Sequence, residues 1–519
     1  MATRKKVILG IVIFLAVVLI ALVVIVPLLF NVDRYRPQVT ALIEKQTGKP
    51  AEIGRLALTV FPSLSIRVDG FALKNPSGFP EGYLVKTQRI YAVVDAGALW
   101  NHEVVIKSLR LDAPEISLLS DVKGTWNFAN KPSSAHAAAS DPPGEKPLFT
   151  LGVISDVMIA KGKVSMANLL PSGKTGPAIF EADGFSSELK QVDINAITKS
   201  ASLQRTVVPR ENAGTSGGGG LTSVAYATEP GGKLAANGTL KIDTLHLMNL
   251  AITNVKTNLR LFPKQVFLDG LDFDCYGGHA QGDLSFAIAG ENPQYGANAR
   301  LHGVNVAKLL DAFPDARGKM TGTLDGTIKL EGEVSHSPDP LQGMQGSGQL
   351  SIRNGNMPSL QLSKNLLEIA RLTKVGPATG DPGAFSSMST DFTIANNRIH
   401  NTKATIIGNG VDVDADGSLA LAGEGSLDYQ GVAKVTANQN ALTSIVAGIS
   451  GASYADGKMA FPFTLGGTLQ NPKFALKSGS PSSPLGNIAG VLSGQKGTTG
   501  QKAQPADVLK GLSGLFKKK

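Results

Sequence analysis

The chain has 519 residues, a formal net charge of +9 and one cysteine, Cys275. Arg4–Lys6 and Lys517–Lys519 supply six of the positive charges, so the body between them carries only +3, which argues against a nucleic-acid surface with its clustered Lys and Arg. A lone cysteine excludes an intrachain disulfide, and Cys275 is expected to be a small buried side chain.

The first predicted element is a membrane-spanning helix. An uncharged apolar run from Val7 to Phe30 follows Arg4–Lys6, and as a helix it would be roughly 36 Å long, enough to cross a bilayer core of about 30 Å. A cleavable signal peptide is the alternative, but its apolar region is usually about 7–15 residues and a small-residue site follows it. The basic residues before the run predict that residues 1–6 remain in the cytoplasm and that the rest lies outside it.

After this anchor the pattern predicts a short helix and then many strands. The helix covers Asp33 to Lys49, with Asn31 or Asp33 as its cap and Gly48 at its end. Short alternating apolar segments then recur at a spacing of about 8–12 residues, which favours extended antiparallel sheet over βαβ units. A hairpin is predicted to turn at Lys161-Gly162, and Leu360 to Val375 has the pattern of a helix.

The predicted fold is therefore mainly β: one transmembrane helix, then an elongated, curled antiparallel sheet with a few short helices. Shifts in composition mark its segments. They are a cytoplasmic tail at 1–6, the transmembrane helix at 7–30, a first β region at 31–130, a linker or loop at 131–147, a middle β region at 148–332 with a flexible insertion at 209–220, a C-terminal β region at 333–477, a linker at 478–505 and a short basic amphipathic tail at 506–519.

The motifs of known chemistry all fail in this sequence. Gly214–Gly218 matches a nucleophile elbow only by letter, because glycine repeats replace the required strand and helix. Asp412–Gly417 resembles the start of a calcium loop, but its aspartates alternate with apolar residues as in a strand with one solvated face. No two of the seven histidines are closer than 23 residues. We therefore expect no enzyme, no cofactor and no metal site.

Several apolar positions on the predicted strands are candidates for the lining of a lipid-binding groove. A sheet that curls without closing has one concave face, and acyl chains could lie along it if it is apolar. Alternation shows that one face avoids water, but not whether that face meets protein or lipid, so a closed sandwich core is the alternative. The candidate lining residues are Leu64, Ile66, Val68, Leu109, Leu111, Leu250 and Ile252.

The C-terminal tail is a candidate for a second membrane contact. Its apolar residues fall on one helical face and are followed by three lysines, a combination that suits a lipid headgroup layer. A terminal helix docked on its own domain, or a frayed tail, is the alternative, and Gly511 and Gly514 weaken the helix. The residues proposed for the contact are Leu512, Leu515, Phe516, Lys517, Lys518 and Lys519.

A series of short motifs, in order along nearly the whole chain, resembles the AsmA family. Each motif is weak alone, and their order is the specific signal. The loops at 131–147 and 209–220 and the basic tail depart from the pattern. The matching segments are Phe61–Ile66, Asn75–Phe79, Leu118–Phe128, Ile154–Val164, Phe273–Gly282, Val306–Leu310, Phe392–Asn397 and Pro462–Pro472.

The resemblance implies a bacterial inner-membrane protein that crosses the membrane once and has the bulk of its chain in the periplasm. It implies a role in outer-membrane biogenesis, with phospholipid acyl chains shielded and transferred along an apolar β-groove. The implied partners are membrane phospholipids, the inner membrane and envelope assembly proteins. An assembly factor for outer-membrane proteins that carries no lipid is the alternative function.

Overall fold

The fold is described from a computed structural model of the chain. The chain forms two compact units, the first comprising Met1–Asp274 and Asp283–Pro293 and the second Cys275–Gly282 and Gln294–Lys519. The structure describes residues 32–60, 63–100, 105–129, 152–196, 232–287, 294–314, 316–333, 343–358, 381, 383–408, 411–436 and 452–476.

Several predicted segments lie outside these described residues. They are the membrane anchor at 7–30, the loop at 131–147, the insertion at 209–220, the helix at 360–375 and the region after 477. Among the residues that are described, none of the helices has the length and apolar character needed to cross a membrane.

The described helices are short. A 3-10 turn at Val32–Tyr35 leads into α1 (Arg36–Thr47), and α2 (Ala96–Trp100) and α3 (Val306–Asp311) follow later in the chain. Gly48 ends α1 as predicted, in a left-handed conformation with φ of 64° that only glycine adopts at little cost. The prediction that Asp33 caps α1 is wrong, because Tyr35 precedes the helix and makes no side-chain cap bond.

Helix α1 lies against the first strand, β1 (Ala51–Thr59). Asp33 Oδ1 accepts from the Leu56 N–H at 2.9 Å, Glu44 Oε1 accepts from the Ala51 N–H at 2.9 Å, and Arg36 Nη1 donates to the Gly54 carbonyl at 2.5 Å. In the described part of the chain β1 pairs only with β2, so these contacts occupy polar backbone groups along its other edge.

The first unit contains a sheet in which β1 to β3 pair in sequence and β3 then contacts both β4 and β5. β4 and β5 each pair with β6, and β6 to β10 again pair in sequence. The strands are β1 (Ala51–Thr59), β2 (Ser65–Lys74), β3 (Tyr83–Val94), β4 (Ile106–Asp112), β5 (Glu115–Ser120), β6 (Val153–Leu169), β7 (Thr175–Asp193), β8 (Ala236–Leu247), β9 (Leu250–Phe262) and β10 (Gln265–Cys275).

Two predictions about this sheet are wrong. β4 and β5 run parallel to β6, so the sheet is mixed rather than purely antiparallel; the chain between Ser120 and Val153 is long enough for the crossover that a parallel pair requires. The predicted hairpin at Lys161-Gly162 is a bulge inside the 17-residue strand β6. Lys161 has φ of 53° there, which kinks the strand without ending it.

The second unit contains a fully antiparallel set of described pairings. β12 to β18 pair in sequence, β18 pairs with β20, and β20 also pairs with β19 and β21. β11 (Gly278–Ala287) contributes residues to both units. The other strands are β12 (Gln294–Asn305), β13 (Thr321–Glu333), β14 (Gln345–Asn356), β15 (Ala384–Ala395), β16 (Arg398–Gly408), β17 (Val411–Ala420), β18 (Leu427–Thr436), β19 (Ser453–Ala455), β20 (Lys458–Gly467) and β21 (Pro472–Leu476).

Candidate functional site: an apolar sheet face

In the first unit, strand register aligns apolar residues into rows that run across the sheet. Residues paired directly across neighbouring strands point to the same face. One row crosses nine strands and contains no charged residue. Its members are Leu58, Ile66, Ala92, Leu109, Val157, Leu189, Gly238, Leu259 and Leu268.

Further rows extend the same face along the strands. A second row is Leu56, Val68, Ile90, Leu111, Ile159, Ser187, Leu240 and Thr257. A third is Ile116, Val164, Ala182, Leu245 and Ile252, and a fourth is Leu118, Met166, Phe180, Leu247 and Leu250. Ile159 and Leu240 of the second row pack on the same buried cluster as Val164 and Ile252 of the third. The four rows together are called here the apolar face of the first unit.

The two hydroxyl groups on this face are satisfied by backbone atoms. Ser187 Oγ donates to the Thr239 carbonyl at 2.9 Å, and Thr257 Oγ1 donates to the Asp269 carbonyl at 3.0 Å. Both side chains are buried, and a buried hydroxyl that bonds to its own sheet presents little polarity to a neighbouring molecule. The second row therefore remains apolar in character despite its Ser and Thr.

The opposite face of the same sheet is charged. Ion pairs form between neighbouring strands at positions that alternate with the apolar rows, as between Arg89 and Asp69 at 3.1 Å and between Lys86 and Glu115 at 2.9 Å. Lys163 contacts both Glu181 and Asp183, and these hydrogen bonds raise the pKa of its ammonium group. The sheet is therefore amphipathic, with its charge on one side and its hydrocarbon on the other.

Six of the seven predicted lining residues lie on the apolar face. Register places Ile66 and Leu109 in the first row, Val68 and Leu111 in the second, Ile252 in the third and Leu250 in the fourth. Leu64 directly precedes β2, and its carbonyl accepts from the Val94 N–H at 2.9 Å. All seven side chains are half-buried, so each keeps some surface that the unit itself does not cover.

The second unit has an apolar face of its own, but part of it is closed. Around β17, β18 and β20, Val413 and Ala433 pack with Met459, Phe461 and Phe463. The side chains of Met459, Phe461 and Phe463 are only 1%, 2% and 2% exposed, and Tyr454 and Phe474 pack against the same cluster. This cluster, the closed cluster of the second unit, has the burial of an ordinary protein core.

A group of polar side chains that the sequence did not single out lies beside the closed cluster. Tyr429 Oη donates to Asn401 Oδ1 at 2.6 Å, Asn401 Nδ2 donates to Thr390 Oγ1 at 2.8 Å, and Thr390 Oγ1 donates to the Asp391 carbonyl at 3.1 Å. Thr390, Asn401 and Tyr429 are half-buried, and burial raises the pKa of the Tyr429 hydroxyl. We call these three residues the polar station.

The other sequence candidates have structural roles. Asp412 and Asp414 lie on β17 and pair with Lys458 at 2.6 Å and Lys434 at 2.8 Å, so these aspartates belong to the solvated face of a strand. Cys275 is buried as predicted. In the described ranges no group of three or more His, Cys, Asp or Glu side chains could hold a metal ion. Gly214–Gly218 lies outside them.

Comparison with known proteins gives one match. No curated protein and no solved structure matches the chain. The family model described as the AsmA family matches residues 1–172 and 188–405. This match covers most of the 519 residues, and the chain therefore belongs to the AsmA family.

Proposed function

We propose that this protein is anchored in the bacterial inner membrane and supports outer-membrane biogenesis from the periplasm by shielding phospholipid acyl chains along the apolar face of the first unit. Membership of the AsmA family supports the general role. The observation that carries the lipid-binding part is the row of uncharged residues across nine strands, whose predicted lining positions are half-buried.

The energetics favour this use of the face. Exposing one CH₂ group to water costs about 0.8 kcal/mol, so an acyl chain of about fifteen such groups loses roughly 12 kcal/mol when it leaves a bilayer unaided. A face lined by Leu, Ile and Val removes most of that cost at each position along its length. Because no bond is made or broken, the proposed activity requires a continuous lining and a membrane contact but no catalytic group.

Lipid contact can be tested by placing a photocrosslinking amino acid on the two faces of one strand. Leu109 is on the apolar face, and Arg110, its neighbour in β4, is on the charged face and pairs with Asp112. In the full-length protein, expressed in its membrane, we expect phospholipid adducts from position 109 and none from position 110. Ile66 and Arg67 on β2 are a second matched pair.

The same experiment separates the proposal from its alternative. Adducts to envelope proteins at both positions of a pair, without lipid, would favour an assembly factor that carries no lipid. Equal lipid labelling of positions 109 and 110 would show that the label reports nearness to a membrane rather than a bound chain, and the proposal would fail.

The membrane anchor needs its own test, since Val7 to Phe30 lies outside the described residues. Reporter domains that are active only in the cytoplasm or only in the periplasm can be fused after Lys6 and after Thr59. We expect periplasmic activity after Thr59, and release of the body from the membrane when residues 1–30 are replaced by a cleavable signal peptide. Cytoplasmic activity after Thr59 would contradict the proposed orientation.

A further inference from the structure

The polar station interrupts a face that is otherwise apolar. Asn401 is directly opposite Phe392 on β15 and Gly417 on β17, and Tyr429 is opposite Gly417 and Leu465. Thr390 is opposite Leu350 and Ala404 in the neighbouring row. Three hydrogen-bonding side chains therefore point to the side on which Phe392 and Leu465 lie.

The geometry of the station holds it in one orientation. The ring of Tyr429 lies over Gly417, where an added Cβ would come within 2.7 Å of the ring's Cδ1, and this lets its hydroxyl reach Asn401 two strands away. The donor direction runs from Tyr429 to Asn401 to Thr390 to a backbone carbonyl. Because each group receives one bond and gives the next, the chain fixes which end of the Asn401 amide faces each neighbour.

Two hydrogen-bonding positions remain after these contacts. Asn401 Nδ2 has a second N–H, and the Tyr429 oxygen has free lone pairs; among the described residues neither has a further partner. Half-buried polar groups of this kind lose free energy if apolar groups cover them without a hydrogen bond. A ligand that fits the face therefore has to bring a polar atom to this point.

The chemistry of the station selects a neutral acceptor. All its hydrogen-bond partners are uncharged. Arg398 on β16 acts on the Tyr429 hydroxyl through its charge, but its own hydrogen bonds go to Ser418 and Ser426. A phosphate taken out of water would need a cation beside it, whereas an ester carbonyl needs only one N–H donor. In a phospholipid the ester carbonyls lie where the acyl chains meet the glycerol.

We propose that the polar station binds the acyl-ester carbonyl of a lipid whose chains lie on the adjoining apolar side chains, so that the second unit prefers ester-linked over ether-linked lipids. This inference rests on the proposed function, since it assigns a lipid class to a protein proposed to carry acyl chains. The Asn401 Nδ2–H is the donor, and Tyr429 and Thr390 are positioning residues.

The preference can be measured by competition. The full-length protein in mild detergent is incubated with equal amounts of diacyl and dialkyl phosphatidylethanolamine of matched chain length, and the bound lipids are counted by mass spectrometry. We expect about a three- to tenfold excess of the diacyl lipid, the range that one hydrogen bond supplies. In Asn401→Leu the ratio should fall to about one while the total bound lipid stays close to wild type.

Two further variants serve as a second probe and a control. Tyr429→Phe keeps the ring over Gly417 but releases the Asn401 amide, so an intermediate ratio is expected, and this variant tests the idea even if Asn401→Leu fails to fold. Thr405→Val changes a residue of the same strand whose hydroxyl donates to Asp414 on the charged face, and it should leave the ratio unchanged.

The outcomes separate this inference from the proposed function. Equal binding of diacyl and dialkyl lipid by the wild-type protein, or a preference that survives in both Asn401→Leu and Tyr429→Phe, overturns the polar station as an ester site while lipid carriage stands. Absence of both lipids from the folded wild-type protein overturns the proposed function as well.

Discussion

The apolar face of the first unit is partly exposed, whereas that of the second unit ends in a closed cluster. In the first unit, the aliphatic side chains of Ile66, Ala92 and Leu109 are opposite each other on successive strands. In the second, large side chains alternate with glycine: Phe392 is opposite Gly348, and an added Cβ on that glycine would come within 2.7 Å of the ring. Ile66, Ala92 and Leu109 are half-buried, whereas Phe392 is buried.

This difference separates the long row of the first unit from the closed cluster of the second, which lies beside the polar station. The ring of Phe392, which lies over Gly348, is 7% exposed and has little surface left for another molecule. Ile66, Ala92 and Leu109 each keep part of their surface exposed. The first unit therefore suits a lining role, and the closed cluster around Phe463 suits a structural one.

The largest expected effect comes from opening the closed cluster. Phe463→Ala should destabilise the second unit by about 3–5 kcal/mol, because it leaves a cavity in a well-packed site. Leu109→Ala in the first unit should cost only about 1–2 kcal/mol, because its side chain is already half-buried. Hydrogen exchange on β20 and β4 in the full chain measures the two losses separately. Equal losses would contradict the distinction between the faces.

A methyl group added beneath a ring tests the same distinction by overfilling. Gly348→Ala brings a Cβ within 2.2 Å of the Thr327 carbonyl and 2.7 Å of the Phe392 ring, so we expect a loss of about 2–3 kcal/mol. Gly466→Ala is the matched control, because its added Cβ has no neighbour closer than 3.9 Å. Thermal unfolding of the two variants should differ clearly, and similar melting temperatures would show that the ring over Gly348 moves aside freely.

Near the end of β5 the first unit buries an amide side chain rather than an aromatic ring. Asn127 is fully buried; its Oδ1 accepts from the Leu119 N–H at 3.0 Å, and its Nδ2 donates to the Ser117 carbonyl at 2.8 Å and to Asn75 Oδ1 at 2.9 Å. Asn127→Ala should destabilise the end of β5 by about 2–3 kcal/mol, since it leaves buried backbone groups unpaired. Loss of exchange protection at Leu119, with β20 unaffected, is the expected result.

The smallest effect concerns charge on the polar face of the second unit. The hydrogen bond from Lys434 holds the pKa of Asp414 below its usual value. The stabilisation is therefore present above the unfolded pKa of about 4 and is lost as the pH falls through the lower folded value. Because both side chains are well exposed, we expect a smaller loss than for any of the variants above. Lys434→Met should remove this part of the acid dependence, and added salt should weaken it in the wild type.

The sequence predicted the composition of the apolar face better than its geometry. Alternation identified Leu109 and Leu111 because β4 pairs without a register shift from Ser108 to Asp112. It mistook the bulge at Lys161 for a turn, since a lysine followed by glycine suits either structure and only the pairing of β6 with β7 decides between them. The parallel pairing of β4 with β6 could not be predicted from the sequence either, because register between distant segments depends on tertiary contacts.

The sequence did not predict the polar station, and the reason is related. The pairing of β16 with β17 shifts register between Asn401 and Ala404. Simple alternation counted from Ile406 would place Asn401 on the opposite face of the sheet. Asn401 therefore shares a face with Ile406 only because the strand carries an irregularity there. A single sequence contains no signal for such a shift, whereas the pairing of β16 with β17 shows it directly.

The contact of α1 with β1 has a consequence for how the protein behaves at high concentration. Uncovered edge strands recruit other strands, and proteins rich in sheet commonly form fibrils by that route. Here Asp33, Arg36 and Glu44 already bond to the backbone of β1. These contacts keep the edge of β1 from pairing with a second copy of the chain. We expect that deleting the segment Val32–Thr47 would expose this edge and promote aggregation.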